Sequence, residues 1–216
     1  NNNTAVGYTA LLTNVTGTDN TAVGKNALQT STSNNNTAIG ANSLGVNTTG
    51  AGNVAVGYVA LYANTTASSN TAVGQHALTD NTTGSTNTAV GSGALGDNTT
   101  ASDNTAVGVN ALRLNTTGAN NVALGAYALD ANTTASYNTG IGVGALGGNT
   151  TGFGNTAVGY IALNNNTTGT YNDAFGAYTL DANTTGNYNV AIGTYSLSVN
   201  TTGYNNIAVG YNSLGV

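Results

Sequence analysis

The stretch Asn155–Tyr171, with the sequence NTAVGYIALNNNTTGTY, is one copy of a repeat that recurs along the whole chain of 216 residues. When its positions are numbered 1 to 17, position 1 is Asn, position 5 is Gly and position 9 is Leu in all thirteen copies. A fixed period of this length is too short for a helical hairpin and predicts one coil of a β-solenoid per repeat. The spacing is seventeen throughout, except for sixteen in the second copy, and the copies begin at Asn3, Asn20, Asn36, Asn53, Asn70, Asn87, Asn104, Asn121, Asn138, Asn155, Asn172, Asn189 and Asn206.

The repeats predict an all-β fold, a parallel β-solenoid or β-roll of thirteen coils with one seventeen-position repeat in each. In this interpretation residues 1–216 form a single repetitive domain. Solenoids usually carry atypical terminal repeats that cover the open ends of the core, and the sequence shows none. We therefore expect the chain to be an excerpt of a longer array, or to join end to end with other copies.

Two strands per coil are predicted. Side chains alternate between the two faces of a strand, and position 4 is always Val, Ile, Leu or Phe, so positions 2 and 4 of the first strand are assigned to the core. Positions 8 to 11 predict a second strand, which directs the Leu of position 9 into the same core. The Gly of position 5 predicts a corner that needs a positive φ or a close backbone approach.

Position 3 is Ala in twelve copies and Gly140 in the other. It faces away from the predicted core yet never changes to a larger polar residue, so we expect another chain to pack against it. A core of two apolar side chains per coil is also thin relative to the entropy lost when a whole coil becomes ordered. The prediction is an association of identical chains, trimeric by preference, through an interchain interface at Ala22, Ala72, Ala106 and Ala157.

Asn recurs at positions 1 and 12 and predicts ladders in which side-chain amides bond from coil to coil. The copy that begins at Asn20, called here the short coil, lacks one position of the repeat and carries Gln29 to Asn35 in place of the usual turn. We expect a local loop deletion there that leaves the register of the flanking strands unchanged.

The composition excludes several classes of function. Only 4% of the residues are charged and the net charge is −5, with Lys25 and Arg113 as the only basic residues besides one His, so nucleic acid is not an expected partner. No apolar run approaches the roughly 18 residues of a membrane span. The chain has no Cys, so disulfides play no part in its stability.

No catalytic constellation is visible in the sequence. The chain has one His and no Glu or Cys, and His76 lies at position 7, whose counterparts in other copies include Thr9, Asn42, Gly93 and Tyr127. The seven Asp residues are scattered over positions 2, 10, 11 and 17, whereas a calcium-binding β-roll needs its carboxylate at the same place in every coil. We therefore predict no enzyme activity, no metal site and no cofactor.

The turn motif Asn-Thr-Thr admits two interpretations. Asn-x-Thr is the acceptor sequence for N-glycosylation, but Asn and Thr also form good turns and ladders. The possible glycosylation sites are Asn14, Asn47, Asn64, Asn81, Asn98, Asn115, Asn132, Asn149, Asn166, Asn183 and Asn200.

Two surface features suggest binding. Eleven of the twelve Tyr residues lie at positions 6, 7, 16 or 17, where they either pack on the surface or contact a glycan or host surface. Thr-rich solenoids can also bind ice through flat arrays of exposed Thr. That alternative is less favoured because the Thr of position 2 is assigned to the core.

The pattern NTAVGxxAL resembles the head repeats of YadA-type trimeric autotransporter adhesins, in which a related SVAIG motif builds a left-handed parallel β-roll, and it is similar to repeats of phage tail fibres. The resemblance covers all thirteen copies, and it implies a left-handed, trimeric arrangement. The predicted function is a structural fibre, filament or adhesin-type repeat domain outside the cell, on the cell surface or on a virion. A phage tail-fibre shaft and, less favoured, an ice-binding solenoid are the alternatives.

Overall fold

A computed structural model describes residues 2–215, and in that range it contains thirteen strands and no helix. Every strand occupies positions 2 to 4 of its coil. The strands are β1 (Thr4–Val6), β2 (Thr21–Val23), β3 (Thr37–Ile39), β4 (Val54–Val56), β5 (Thr71–Val73), β6 (Thr88–Val90), β7 (Thr105–Val107), β8 (Val122–Leu124), β9 (Thr139–Ile141), β10 (Thr156–Val158), β11 (Asp173–Phe175), β12 (Val190–Ile192) and β13 (Ile207–Val209).

The chain forms two compact units, and the boundary between them lies between Ala106 and Val107. They are called here the N-terminal unit and the C-terminal unit. In the N-terminal unit, β1 to β6 pair in chain order, all parallel. In the C-terminal unit, β8 to β13 pair in the same way. Equivalent positions of adjacent coils lie side by side in these paired strands, so the predicted parallel β-solenoid is confirmed.

The short coil keeps its place in the stack. Thr21 pairs with Thr4 on one side and with Thr37 on the other, which is the register of every regular coil. The deletion therefore shortens only the turn, as predicted.

The core corrects the sequence-based assignment of the two strand faces. Ala22, Ala72, Ala106 and Ala157 of position 3 are 0% exposed, whereas positions 2 and 4 lie on the outer side of the coil, half-buried or exposed. A Cβ placed on Gly140, the only Gly at position 3, would lie 3.4 Å from Leu129 Cγ of the preceding coil. Position 3 is small because it packs directly against the Leu of position 9, and the coil is too narrow for a longer side chain.

The four alanines therefore cannot form the expected interchain interface, since their own chain covers them completely. The Leu of position 9 does face the core, as predicted: ten of these residues, from Leu28 to Leu180, are 0% exposed. The Ala of position 8, as at Ala60 and Ala111, completes the apolar interior. A typical coil thus closes around one Leu and two alanines.

The predicted second strand does not form within residues 2–215. Positions 5, 7 and 9 have positive φ instead, and all thirteen Leu residues of position 9 adopt φ between 49° and 54°. This left-handed conformation costs roughly 1–2 kcal/mol for a residue with a side chain. Burial of a Leu side chain stabilises the fold by about 1.5–3 kcal/mol, which offsets that cost. A tight, repeated bend replaces the strand and turns each Leu inward.

Gly at position 5 meets both predicted requirements. Its φ lies between 120° and 142° in every coil. A Cβ on Gly57 would also lie 2.5 Å from the carbonyl oxygen of Gly74 in the next coil. No other residue fits this corner.

Candidate functional site

The outer strand face, defined here as the side chains of positions 2 and 4, is the main apolar surface. Position 4 carries Val, Ile, Leu or Phe in every coil and no polar residue. Several of these side chains are substantially exposed, for example Ile39 at 40% and Leu124 at 45%. Because they stand side by side on paired strands, they form an apolar column along each unit.

The face differs between the units at position 2. In the N-terminal unit, position 2 is Thr in every coil except the one with Val54, which lies between Thr37 and Thr71. In the C-terminal unit, position 2 is Val122, Val190 or Ile207 in three coils. In another coil it is Asp173, the only charged residue of the face. At position 2 the N-terminal unit therefore bears mainly hydroxyl groups, and the C-terminal unit is more apolar.

Aromatic side chains form two ladders in the C-terminal unit. The first, called here the tyrosine ladder, joins Tyr160, Tyr178, Tyr195 and Tyr211 at positions 6 and 7 of four consecutive coils, with centroid separations of 5.4, 5.1 and 6.2 Å. The second joins Phe153, Tyr171 and Tyr188 just before the strands, with separations of 5.1 and 5.3 Å. Desolvation and the neighbouring phenols raise the pKa of Tyr178.

The N-terminal unit has a single such contact among its described residues, an edge-on pair of Tyr58 and His76 with centroids 5.7 Å apart. His76 therefore lies on the surface against an aromatic ring. The contacts between aromatic rings are concentrated in the C-terminal unit.

The Asn residues of position 12 form the predicted amide ladder. Asn64 Nδ2 donates to Asn47 Oδ1 of the preceding coil at 2.8 Å and to the Ala67 carbonyl of its own turn at 3.0 Å. The same carbonyl accepts from Asn53 Nδ2 of position 1 at 2.9 Å, and the Asn53 backbone N–H donates to Asn36 Oδ1. Both Asn residues of a coil therefore tie its turn together and link it to its neighbour.

At nine of the eleven candidate sites, this ladder leaves no room for an N-linked glycan in the folded coil. Nine of the eleven candidate residues are 0% exposed, namely Asn47, Asn64, Asn81, Asn98, Asn115, Asn132, Asn149, Asn166 and Asn183. A glycan would have to be attached to the same nitrogen that donates to the ladder. The half-exposed Asn14 and Asn200 also use Nδ2 to close their turns, at 3.0 and 3.3 Å. The structure thus favours the structural interpretation of Asn-Thr-Thr.

The short coil replaces its ladder Asn with Ser31, which is fully buried. Ser33 Oγ lies 2.9 Å from Ser31 Oγ, accepts from Asn36 Nδ2 and donates to the Gly50 carbonyl. Asn47 Nδ2 donates to Ser31 Oγ at 3.1 Å. Two short hydroxyl side chains thereby satisfy the partners of the missing amide.

The acidic residues do not converge on one site. Among residues 2–215 no group of three His, Cys, Asp or Glu side chains could hold a metal ion. Asp130 pairs with Arg113 of the preceding coil, with Nε and Oδ1 3.2 Å apart. Asp181 Oδ1 is buried without a hydrogen-bond partner, and this burial raises the pKa of the carboxyl. A hydrogen bond from Asn2 lowers the pKa of Asp19.

Comparisons with known proteins add no relative. No protein-family model, no curated protein and no solved structure matches the chain. No helix able to cross a membrane occurs in the described part of the chain. The fold and the repeat define the class: this is a tandem-repeat protein that forms a parallel β-solenoid.

Proposed function

We propose that the chain is a structural repeat segment of a surface fibre, and that it associates with identical chains through the outer strand face. The observation that carries this proposal is the exposed apolar column at position 4. Large contiguous apolar patches are uncommon on isolated soluble chains and are typical of interaction surfaces. The role is mechanical and presentational, without catalysis.

We still propose the association of identical chains that the sequence predicts, but through a different surface. The alanines of position 3 are internal, so the side chains that a partner would cover are those of position 4, such as Val56 and Val73. Both are half-buried and lie next to each other on paired strands. No charge on the face of the N-terminal unit opposes contact with a second copy.

The native mass in solution tests this association. The unaltered chain should sediment as an oligomer, with a trimer expected, and the double variant Val56→Gln/Val73→Gln should shift toward monomer. Its thermal midpoint should match that of the unaltered chain at dilutions where both are monomeric. The control Thr66→Gln/Thr83→Gln alters exposed residues of the turn in the same unit and should leave the mass unchanged. A monomer at all concentrations, or dissociation by the control, contradicts the proposal.

The surface location and the adhesin or tail-fibre role rest on the resemblance to YadA-type and phage-fibre repeats. Both families present such rods outside the cell or on the virion. Labelling of intact producing cells and released particles with an antibody against this chain tests the location. Signal confined to permeabilised cells contradicts it.

Ice binding is a second candidate because the structure removes the objection to it. The Thr residues of position 2 lie on the outer side of the N-terminal unit, as at Thr21, Thr71 and Thr88, beside apolar residues of position 4. Paired strands place such hydroxyls about 4.8 Å apart in a regular row. Thermal hysteresis that is lost in Thr71→Leu/Thr88→Leu, in a chain that sediments as a monomer, supports ice binding over fibre assembly.

A further inference from the structure

We infer that the tyrosine ladder of the C-terminal unit is a binding site for a neutral polysaccharide. The ladder consists of Tyr160, Tyr178, Tyr195 and Tyr211, and three of these are 40% to 77% exposed. It lies at positions 6 and 7, beyond the corner Gly and away from positions 2 and 4. It is therefore independent of the proposed self-association.

Position 7 has a positive φ in every coil, so this conformation belongs to the repeat and not to the ladder alone. Tyr178 and Tyr195 have φ of 54° and 58°, and Asn42 and Asn110 occupy the same position in other coils with φ of 58° and 53°. Asn tolerates this conformation better than a bulky residue, so a change from Tyr to Asn at this position is compatible with the fold.

The spacing of the ladder indicates a linear ligand. Four phenol rings follow each other over four consecutive coils with centroid separations of 5.1 to 6.2 Å. This distance is close to the length of one sugar ring in a glycan chain. Successive sugars can therefore meet successive tyrosines, and several weak contacts add up along the chain.

The surrounding chemistry selects a neutral glycan. The coils from Asn155 to Gly215 contain no Lys or Arg, which excludes phosphate and acidic polysaccharides as favoured ligands. Polar neighbours at positions 6 and 10, such as Asn164, Thr194 and Ser198, offer amide and hydroxyl groups. Phenol rings combine apolar surface with a hydroxyl that can donate or accept, which matches the alternating C–H and O–H surface of a sugar.

Affinity electrophoresis in gels that contain hydroxyethylcellulose, mannan or dextran tests the inference. We expect at least one of these polymers to retard the chain, and the double variant Tyr178→Asn/Tyr195→Asn to weaken that binding about tenfold or more, because two of four contacts are lost. Its far-ultraviolet circular dichroism and native mass should match those of the unaltered chain. Asn is the residue that other coils carry at this position, so the variant keeps the fold.

Tyr127→Asn provides the matched control. Tyr127 has the same position 7, a φ of 59° and 49% exposure, but its neighbours at position 7 are Asn110 and Gly144 rather than aromatic residues. This variant should bind like the unaltered chain. No retardation by any of the three polymers, equal loss in Tyr127→Asn, or retention by alginate or polylysine gels alone would overturn the inference. The native mass reports on the fibre proposal separately.

Discussion

The inside and the outside of each coil follow different rules. Inside, positions 1, 3, 5 and 9 hardly change over thirteen copies, because each fills a space that the next coil defines. Outside, positions 2, 6, 7 and 17 vary and place Thr on one unit and aromatic ladders on the other. The invariant residues therefore explain how the chain folds, and the variable ones indicate what it contacts.

The largest difference in unfolding free energy is expected when the same substitution is made on the inner and the outer side of one coil. Leu129 is 0% exposed and Leu124, in the same coil, is 45% exposed. Leu129→Ala should lower the free energy of unfolding by about 2–5 kcal/mol because it leaves a cavity that the narrow coil cannot close. At dilutions where the chain is monomeric, Leu124→Ala should change it by less than about 1 kcal/mol, since much of the Leu124 surface is then in water. Chemical denaturation measures both values, and equal losses would contradict the assignment.

Two neighbouring Asn residues allow the same comparison of inside and outside for the amide ladder of position 12. Asn166 is fully buried and donates to Asn149 Oδ1 at 2.8 Å, whereas the adjacent Asn165 is exposed. Asn166→Ala should cost about 1–3 kcal/mol because ladder partners lose their hydrogen bonds in a buried row. Asn165→Ala should stay within about 0.5 kcal/mol of the unaltered chain. A neutral Asn166→Ala would show that the ladder does not stabilise the fold.

The smallest expected effect concerns two carboxyl groups at position 10. Burial raises the pKa of Asp181, so the folded state holds the proton more tightly than the unfolded state and loses stability as the pH rises through that pKa. Asp181→Asn removes this penalty and should raise the thermal midpoint at pH 7, with a smaller gain at pH 3. Asp130→Asn should give no gain at pH 7 because Asp130 is paired with Arg113. A lower midpoint for Asp181→Asn at pH 7 would contradict this account of its environment.

The sequence was sufficient to predict the solenoid, the coil length, the ladders and the corner Gly. It was also sufficient to predict that side chains alternate along the strand, but not which face is inside. Both assignments satisfy alternation, and Val is normally a better core residue than Ala. The deciding fact is the distance between the strand and the Leu of position 9, which leaves room for one Cβ and is set by the whole coil.

The bend around position 9 was not predictable from residue preferences. Leu rarely adopts positive φ, and a run of Ala and Leu suggests a regular element rather than successive left-handed residues. Asn and Gly at positions 7 and 17 were the available signal, since both tolerate positive φ. The tyrosine ladder was visible only as a preference of Tyr for certain positions, because contact between consecutive coils depends on the fold.

The assignment of the two strand faces is tested most directly by adjacent residues of β6. Ala89 is 0% exposed and points inward, and Val90 lies on the outer strand face. The measurement is the unfolding free energy of Ala89→Gln and of Val90→Gln, together with native mass. Ala89→Gln should lose about 3 kcal/mol or more, since a longer polar side chain has neither space nor a partner inside the coil. At dilutions where the native mass is that of a monomer, Val90→Gln should lose less than about 1 kcal/mol. A stable Ala89→Gln together with a strongly destabilised Val90→Gln would contradict the structure of the core described above.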